Sequence, residues 1–598
     1  MFQDFEDPQD MRSDARRLDR LREALAARGC DGFAVPREDV WQSEYVPPAN
    51  ERLKWLTGFG GSAGVAIVLA DRAALFVDGR YVLQAPQQVD TAHFEIVPIA
   101  ETTPTAWLKT ALADGQTFAI DPRLHTRAAV AAWRKAVEAA GAKLVCLEDN
   151  PIDTLWPTGN SRPSLPETPV IIHPDAASGT PSAAKREALA AQLVAAEQDA
   201  MLITKPENIA WLLNIRAADV PHAPLALSFG ILHADAAFDW YIDTARLDED
   251  VRAHLGAAVR PHPPENLAED LAALTGKIHL DPAATPHWFA EAMQKADIAE
   301  GEDLCALPKA CKTTAEIAGA IAAHRRDGAA LCRFLAWLDA HAPQGGVSEI
   351  DAARQAETFR SESGLLRDLS FDTISATGAN AAIVHYRVTR ATDRPIEAGD
   401  LYLIDSGGQY EDGTTDVTRT ILIGDAPPPD GAIDAFTRVL QGHIALARAR
   451  FPEGTTGVQL DALARAPLWA AGLDFDHGTG HGVGSYLCVH EGPQNISKRG
   501  GVALRAGMIV SNEPGYYKAG AFGIRIENLQ YVIAADEGML AFAPLTLAPI
   551  DTRLVDTALL TPPECDWLNA YHAEVEATIA PLVDADTSAW LKRSCAPI

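Results

Sequence analysis

The segment LYLIDSGGQYEDGTTDVTRTILI, residues 401–423, decides the fold of the C-terminal half of the chain. One apolar run ends at Asp405, a second begins after Asp416, and the pair Asp412-Gly413 lies between them. An Asp-Gly pair favours a tight turn that joins two antiparallel strands. We therefore predict two strands that fold back on each other, which can bring the carboxylates of Asp405 and Asp416 to one place.

A second pair of acidic residues follows farther along the chain. Glu513 ends the apolar run MIVSNEPG (508–515), and Glu527 lies in GIRIEN (523–528), where an extended backbone places Arg525 and Glu527 on one face. Between the two acidic pairs lies HGTGHGVG (477–484). Its alternating glycines make a poor helix and let the backbone approach a ligand closely, so we place the two histidines on a strand or a loop.

These acidic residues predict a metal site. Four carboxylates that converge in apolar surroundings must take up protons or bind cations, because they repel one another and are costly to desolvate. Two divalent ions neutralise four negative charges, and a donor set of oxygens with one imidazole favours ions such as Mn²⁺. The alternative is that the Asp residues form turns and the Glu residues are solvated. The surrounding Ile, Leu, Val and Met runs argue against it.

The same strings, together with HYRV (385–388), VHEGP (489–493) and EPGYY (513–517), resemble the pita-bread metallopeptidases. Within that group they look like the Xaa-Pro aminopeptidases of the long, three-domain cytosolic type. The resemblance extends to DGRY (78–81) and to ECDWLNAYH (564–572). It implies a site with two divalent ions, usually Mn²⁺ with Co²⁺ or Zn²⁺ as alternatives. Such a site removes the N-terminal residue from peptides that have proline in second position.

The resemblance also implies a role for each site residue. The expected metal ligands are Asp405, Asp416, His481, Glu513 and Glu527. Asp416 and Glu527 are expected to bridge the two ions, and Glu513 to take a proton from the attacking water.

The remaining site residues are expected to act on the substrate. His385 suits proton transfer near neutral pH, and His490 is expected to steady the developing oxyanion. His477 either lines the proline pocket or braces the histidine ligand. Arg525 orients a carboxylate or carbonyl, or forms an ion pair with one of the bridging acids. Arg80, in the DGRY string, is expected to contact the substrate.

Other functions of the same fold stay open at this point. The nearest is a prolidase, which cleaves Xaa-Pro dipeptides, followed by a methionine aminopeptidase. A third alternative is a catalytically silent pita-bread protein that binds peptides or proteins. The two extra N-terminal domains and the GTGHGVG form favour an Xaa-Pro aminopeptidase, and the five filled ligand positions argue against the silent alternative.

Length and internal repetition predict an α/β (α+β) fold with three domains. A chain of 598 residues is too long for one core. We predict similar α/β domains at 1–150 and 151–308, because ENIAWL (207–212) repeats the pattern of ERLKWL (51–56), and a pita-bread catalytic domain at 309–598. The second domain lacks a DGR string. The proline-rich stretch 150–169 is interpreted as a linker.

Composition limits the partners and the compartment. The net charge of −30 argues against nucleic acid or an anionic membrane as the main partner. The sequence contains no run of about 18 or more apolar residues, so we expect no membrane span. The eight cysteines are scattered without a CxxC pair, which is typical of a reducing cytoplasm. We expect a cytoplasmic homodimer that acts on proline-containing peptides.

Overall fold

A computed structural model describes residues 2–6, 14–159 and 161–598 of the chain. The chain forms two compact units. The N-terminal unit contains the described residues of 8–175 and 180–306, whereas the C-terminal unit contains residues 2–6, 176–179 and 307–598. The C-terminal unit is therefore assembled from three separate stretches of sequence. The predicted domain limits at 150 and 308 stay predictions.

The N-terminal unit contains two six-stranded sheets. In spatial order the strands of the first are Glu95–Pro98, Ala73–Val77, Val65–Leu69, Gly32–Pro36, Thr117–Ile120 and Lys143–Cys146. Those of the second are Val259–His262, Phe238–Tyr241, Phe229–His233, Ala200–Ile203, Gly276–Leu280 and Ala296–Glu300. In both sheets the fourth strand runs antiparallel to the third and parallel to the fifth. The two sheets thus share one topology, as the repeat in the sequence predicts.

The helices of the N-terminal unit follow the same repeat. They are Ala15–Ala26, Arg52–Thr57, Ala85–Gln88, Pro104–Ala111, Arg127–Ala139, Pro151–Leu155, Ser182–Ala195, Pro206–Leu213, Glu249–Leu255, Leu267–Ala273 and His287–Ala292. The helices Arg52–Thr57 and Pro206–Leu213 carry the two related Trp-containing strings and are mostly buried. The stretch interpreted as a linker differs from that expectation, because it begins with the helix Pro151–Leu155. Proline is accepted there because the first turn of a helix needs no backbone donor.

The C-terminal unit is built from short antiparallel sheets. Its largest sheet has the strands Arg450–Pro452, Met539–Pro544, Asn528–Ala534, Ile509–Asn512, Gly480–Gly482 and Glu491–Ile496. Two three-stranded sheets contain Ile374–Thr377, Leu401–Ser406 and Val417–Leu422, and Asp368–Leu369, Gly408–Tyr410 and Gly413–Thr414. A hairpin is formed by Gly515–Lys518 and Phe522–Arg525.

Long helices cover these sheets. They are Thr314–His341, Glu349–Ser361, Ala432–Ala447, Gly457–Trp469, Pro562–Ile579 and Ala585–Ser594. The first begins at a capping box formed by Thr313 and Glu316. Two short helices, Asp175–Ser178 and Ala306–Ala310, begin where the sequence passes from one unit to the other. In the described part of the chain no helix is both long and apolar enough to cross a membrane.

The predicted strand pair lies at the centre of the C-terminal unit. Leu401–Ser406 and Val417–Leu422 pair antiparallel, and Asp405 faces Thr418 across the pair. Apolar residues of the same strands, such as Ile404 and Ile421, pack into a cluster with Phe334 of the long first helix. This buried packing fixes the position of the acidic residues at the strand ends.

Candidate metal centre

Four acidic residues converge in the interior of the C-terminal unit, and we call this group the acidic centre: Asp405, Asp416, Glu513 and Glu527. Asp405 is the fifth residue of a six-residue strand, and Asp416 comes immediately before the strand that pairs with it. Glu513 follows the strand Ile509–Asn512, and Glu527 follows the hairpin strand that ends at Arg525. Strand ends from three sheets therefore deliver the four carboxylates.

His481 lies between members of the acidic centre. Its Nε2 is 3.5 Å from Asp416 Oδ2 and 3.5 Å from Glu513 Oε1. Ligand-type atoms of Asp416, His481 and Glu527 all lie within 4.8 Å of one another. The flanking glycines have a steric reason, because a Cβ at Gly480 would come within 2.0 Å of a neighbouring carbonyl oxygen and one at Gly482 within 2.1 Å.

Burial and mutual repulsion perturb the acidic centre. Burial raises the pKa of Asp416 well above its usual value, and the charges of Asp405 and Glu513 raise it further. Burial and the same repulsion raise the pKa of Glu527. Burial also raises the pKa of Glu513, although His481 and Arg525 oppose that shift. The centre is short of positive charge.

Two oxygens in the acidic centre have no hydrogen-bond donor. Asp405 Oδ1 and Asp416 Oδ1 are buried and unpartnered among the described residues. Buried polar atoms are normally paired, so an unpaired one calls for an explanation such as a bound ion. Carboxylate oxygens with one imidazole are the donors that Mn²⁺ and similar divalent ions prefer. The residues present therefore fit a divalent cation site.

Arg525 connects the acidic centre to a tyrosine and a histidine. Its Nη2 donates to Asp405 Oδ2 at 2.6 Å, and its Nη1 donates to the Tyr517 hydroxyl at 2.7 Å. His477 Nε2 lies 2.8 Å from the same hydroxyl. Arg525 thus forms an ion pair in the centre, but its partner is Asp405 and neither of the two bridging acids that the sequence suggested. The hairpin register decides this contact, and periodicity alone does not give that register.

Tyr517 was not among the residues predicted from the sequence. Burial raises its pKa to about 12, with Arg525 opposing the shift. The register of the hairpin explains its position, because Gly515 pairs with Arg525. Alternation along a strand then places Tyr517 on the same face as Arg525.

Two further predicted histidines lie beside these residues. The ring of His490 meets that of His481 edge-on, with centroids 4.3 Å apart. His385 follows Val384, whose carbonyl oxygen accepts from Arg525 Nη1 at 3.4 Å. The structure therefore places His490 against a predicted ligand and His385 next in sequence to a residue that contacts Arg525.

A buried charge cluster next to His490 was also not predicted from the sequence. Glu491 Oε2 lies 2.8 Å from Lys309 Nζ, and Glu491 Oε1 pairs with Lys312. Both lysines come from a stretch far away in sequence, so no local pattern links them to Glu491. Arg80 belongs to the N-terminal unit, where its Nη2 is 2.7 Å from Asp78 Oδ2. Its contact with a substrate stays a prediction.

Family models match nearly the whole chain. Residues 17–154 and 161–316 each match the creatinase/prolidase N-terminal domain. Residues 319–534 match metallopeptidase family M24, and residues 538–598 match the C-terminal region of that peptidase family. The order of the matches agrees with two similar domains followed by a peptidase domain.

Individual relatives cover the chain from end to end. Probable Xaa-Pro aminopeptidase P of Laccaria bicolor is 40% identical over 605 residues, which covers 97% of this chain and 93% of that protein. Aminopeptidase P2 of Arabidopsis thaliana is 38% identical, covering 95% and 86%. A crystal structure of X-prolyl aminopeptidase from Caenorhabditis elegans, described as a cytosolic enzyme with a di-nuclear active site, matches with a TM-score of 0.93 and 35% identity, covering 98% and 99%.

The two repeated domains and the acidic centre thus define a metallopeptidase of the M24 class. Within that class, the chain belongs to the family of Xaa-Pro aminopeptidases. The prediction of two similar α/β domains followed by a pita-bread domain is confirmed, and so is the prediction of a hydrolase.

Proposed function

We propose that the chain releases the N-terminal residue from peptides with proline in second position, using two divalent ions. The named relatives and the matching crystal structure support this activity. The observation that carries the proposal is the acidic centre, in which acids that repel one another are buried with unpartnered oxygens. Such a group must either take up protons or bind cations, and cations are the outcome that we propose at neutral pH.

Five residues form the proposed ligand set: Asp405, Asp416, His481, Glu513 and Glu527. We assign Asp416 and Glu527 to both ions, because both are buried within the group and crowded by other carboxylates. Bound divalent ions would polarise the scissile carbonyl and make a water molecule acidic enough to attack it. Mn²⁺ is the proposed ion, with Co²⁺ or Zn²⁺ as alternatives, because the donors are mainly oxygens.

The other side chains are proposed to move protons and hold the substrate. Glu513 is suited to accept a proton, because burial raises its pKa. His490, whose ring contacts that of His481, is proposed to donate to the oxygen that becomes negative during the reaction. His385 is proposed to contact the substrate and transfer a proton.

Arg525, Tyr517 and His477 form one hydrogen-bonded series that ends on Asp405. We propose that this series orients that carboxylate and lines the substrate pocket.

The compartment, the assembly and the partners are also proposals. None of the eight cysteines forms a disulfide in the described residues, which is the state that a reducing cytoplasm maintains. The homodimer and the substrate contact of Arg80 remain predictions. Light scattering on the purified protein would decide the first, and KM values of Arg80→Ala with a range of peptides would decide the second.

The deciding experiment compares three peptides: Xaa-Pro, Xaa-Pro-Yaa and Xaa-Ala-Yaa. Protein stripped of metal and then supplied with Mn²⁺ should cleave Xaa-Pro-Yaa and leave Xaa-Ala-Yaa intact. Cleavage restricted to the Xaa-Pro dipeptide would make the chain a prolidase. A protein that binds two Mn²⁺ ions but cleaves none of the three would be the silent peptide-binding alternative.

A further inference from the structure

Residues 2–6, which we call the strap, pack against the C-terminal unit. The side chain of Phe5 is 4% exposed and joins an apolar cluster that includes Ile374, Tyr386 and Val388. The Arg354 guanidinium lies 5.3 Å from the centre of the Phe5 ring. Phe2, in the same strap, is 44% exposed. One of the two aromatic residues is therefore an anchor and the other is not.

Polar contacts fix the strap along its length. The Phe2 N–H donates to Glu357 Oε1 at 2.8 Å. The Gln3 side chain forms two hydrogen bonds with the Thr373 backbone. Its Nε2 donates to the carbonyl oxygen at 3.2 Å, and its Oε1 accepts from the N–H at 3.0 Å. Thr373 directly precedes a strand of the sheet that carries Asp405. The strap is thus held at a defined position on the unit.

The strap also holds the segment 385–390, which begins with His385. Arg387 Nη2 donates to the Asp4 carbonyl oxygen at 2.7 Å, and the Arg390 N–H donates to the Phe5 carbonyl oxygen at 3.0 Å. Arg390 also pairs with Glu6. These contacts secure the segment from the side of the strap.

Two other contacts secure the same segment, and one of them comes from the residue that pairs with Asp405 in the acidic centre. Arg525 Nη1 donates to the Val384 carbonyl oxygen, one residue before His385. The Tyr386 hydroxyl donates to Glu349 Oε2 at 3.0 Å. His385 therefore lies in a turn whose two flanks are anchored by different parts of the unit, and the strap supplies one of those anchors.

We infer that the strap is a positioning element for catalysis, which holds His385 at the position it needs to act on the substrate. This inference rests on the role proposed above for His385. Removing the Phe5 ring would leave a cavity against Tyr386 and Val388 and let the segment shift. A displacement of a catalytic group by about 1 Å can reduce a rate roughly 100-fold. A strap that served stability alone would not affect the rate of the folded enzyme.

The test uses the full-length, metal-loaded protein and three variants. Phe5→Ala removes the anchor, Phe5→Leu retains an apolar side chain, and Phe2→Ala is the matched control in the same strap. Each is assayed with an Xaa-Pro-Yaa peptide well below its Tm, and its metal content is measured. Hydrogen exchange of the backbone over 383–390 is followed in parallel, with 479–484 as a reference region.

We expect Phe5→Ala to retain both ions and to lose at least about 10-fold in kcat, with faster exchange over 383–390 only. Phe5→Leu should recover most of the rate, because apolar replacements of moderate size are tolerated best. Phe2→Ala should match the wild type. If Phe5→Ala does not fold, Gln3→Ala is the milder variant and should show the same pattern with a smaller loss.

Wild-type kcat in folded Phe5→Ala, or unchanged exchange over 383–390, would overturn the inference. Loss of an ion in Phe5→Ala would overturn it too, because the strap would then act on the metal ligands. The failure of the proposed function is a separate result, namely a wild-type protein that binds two ions and cleaves no Xaa-Pro-Yaa peptide. The exchange measurement still decides in that case whether the strap holds the segment.

Discussion

The C-terminal unit buries two kinds of carboxylate, and the contrast between them separates structure from chemistry. Asp327 accepts two hydrogen bonds from Arg360, at 2.7 and 3.1 Å, and one from the Tyr410 hydroxyl. Burial would raise the pKa of Asp327, but these partners hold it below the usual value. For Glu491, burial is likewise outweighed by two lysines, which lower the pKa. The chain provides these two residues, which we call the paired acids, with its own cations.

The acidic centre is arranged in the opposite way. Its members face one another, and the guanidinium of Arg525 is directed to Asp405. The pKa values of Asp416 and Glu527 are raised by burial and by neighbouring carboxylates. The comparison teaches that burial of an acid is no sign of function in itself. The sign is a group of buried acids whose counter-charge the chain does not supply.

The largest expected effect is on the acidic centre. Glu527→Ala or Asp416→Ala should lose bound metal and more than about 1000-fold in kcat, which exceeds the roughly 10- to 100-fold typical of residues that only support a ligand. Asp405→Ala should lose less, because we assign it to one ion. Elemental analysis and steady-state kinetics on one preparation provide the measurement. Wild-type metal content and turnover in Glu527→Ala would contradict the ligand assignment.

In the metal-free protein, substituting a paired acid should lower the stability, whereas substituting a member of the acidic centre should raise it. Asp327→Ala leaves Arg360 buried without its partner, which typically costs about 3–5 kcal/mol. Asp416→Asn removes a buried charge that is repelled by its neighbours, so with chelator present it should raise Tm above that of the metal-free wild type. Thermal unfolding of all three proteins in chelator tests this. A similar loss of stability in both variants would remove the distinction.

His490 and Glu491 are neighbours in sequence, yet substituting the first should lower kcat and substituting the second should mainly lower Tm. His490→Ala should keep both ions and lose on the order of 100- to 1000-fold in kcat, as expected when an oxyanion donor is removed. Glu491→Gln leaves Lys309 and Lys312 without their counter-charge and should mainly lower Tm. Metal content, Tm and kcat are measured for both. Loss of an ion in His490→Ala would make it a ligand, whereas a lower Tm with unchanged kcat would make it structural.

Glu349 is a third kind of buried acid, because its partners are neutral hydrogen-bond donors and include neither a cation nor another carboxylate. Burial raises its pKa from 4.5 to about 7, against hydrogen bonds from Thr377, Asn380 and Tyr386. The folded protein therefore retains this proton longer than the unfolded chain, so this contribution to stability is complete below pH 4.5 and is lost as the pH rises to about 7. The shift corresponds to about 3 kcal/mol.

Glu349→Gln should remove that part of the pH dependence, because glutamine does not ionise. Denaturant unfolding of the variant and the wild type at several pH values between about 4 and 8 measures the difference in slope. Equal slopes for the two proteins would show that Glu349 ionises in the folded state as it does in the unfolded chain.

The sequence predicted the acidic centre because each of its members borders or lies within an apolar run. Asp405 and Asp416 flank a turn signal, so their convergence follows from the strand pairing itself. The partner of Arg525 could not be predicted in that way, because it depends on the register of a hairpin and on its packing against another sheet. The two lysines beside Glu491 are joined to it only by long-range packing, which leaves no periodic trace.

The strap was missed for a related reason. The hydrogen bond between Gln3 and Thr373 joins residues that are 370 positions apart in the sequence, so no local pattern predicts it. The repeat of the two N-terminal domains was easier to find, since both copies carry a Trp-containing helix after the first strand of the fold. Local repetition is visible in a sequence, whereas a single distant contact is not.

The strap also limits how this protein can be dissected into fragments. The C-terminal unit takes residues from three separate stretches of sequence, so a fragment that starts at residue 307 would lack Phe5. It would also lack Ser178, whose carbonyl oxygen accepts from the Thr313 hydroxyl at the start of the longest helix. Such a fragment would expose the apolar cluster around Tyr386 to water. The missing strap alone is a sufficient reason for such a fragment to be inactive, so its inactivity would not show that the N-terminal domains take part in catalysis.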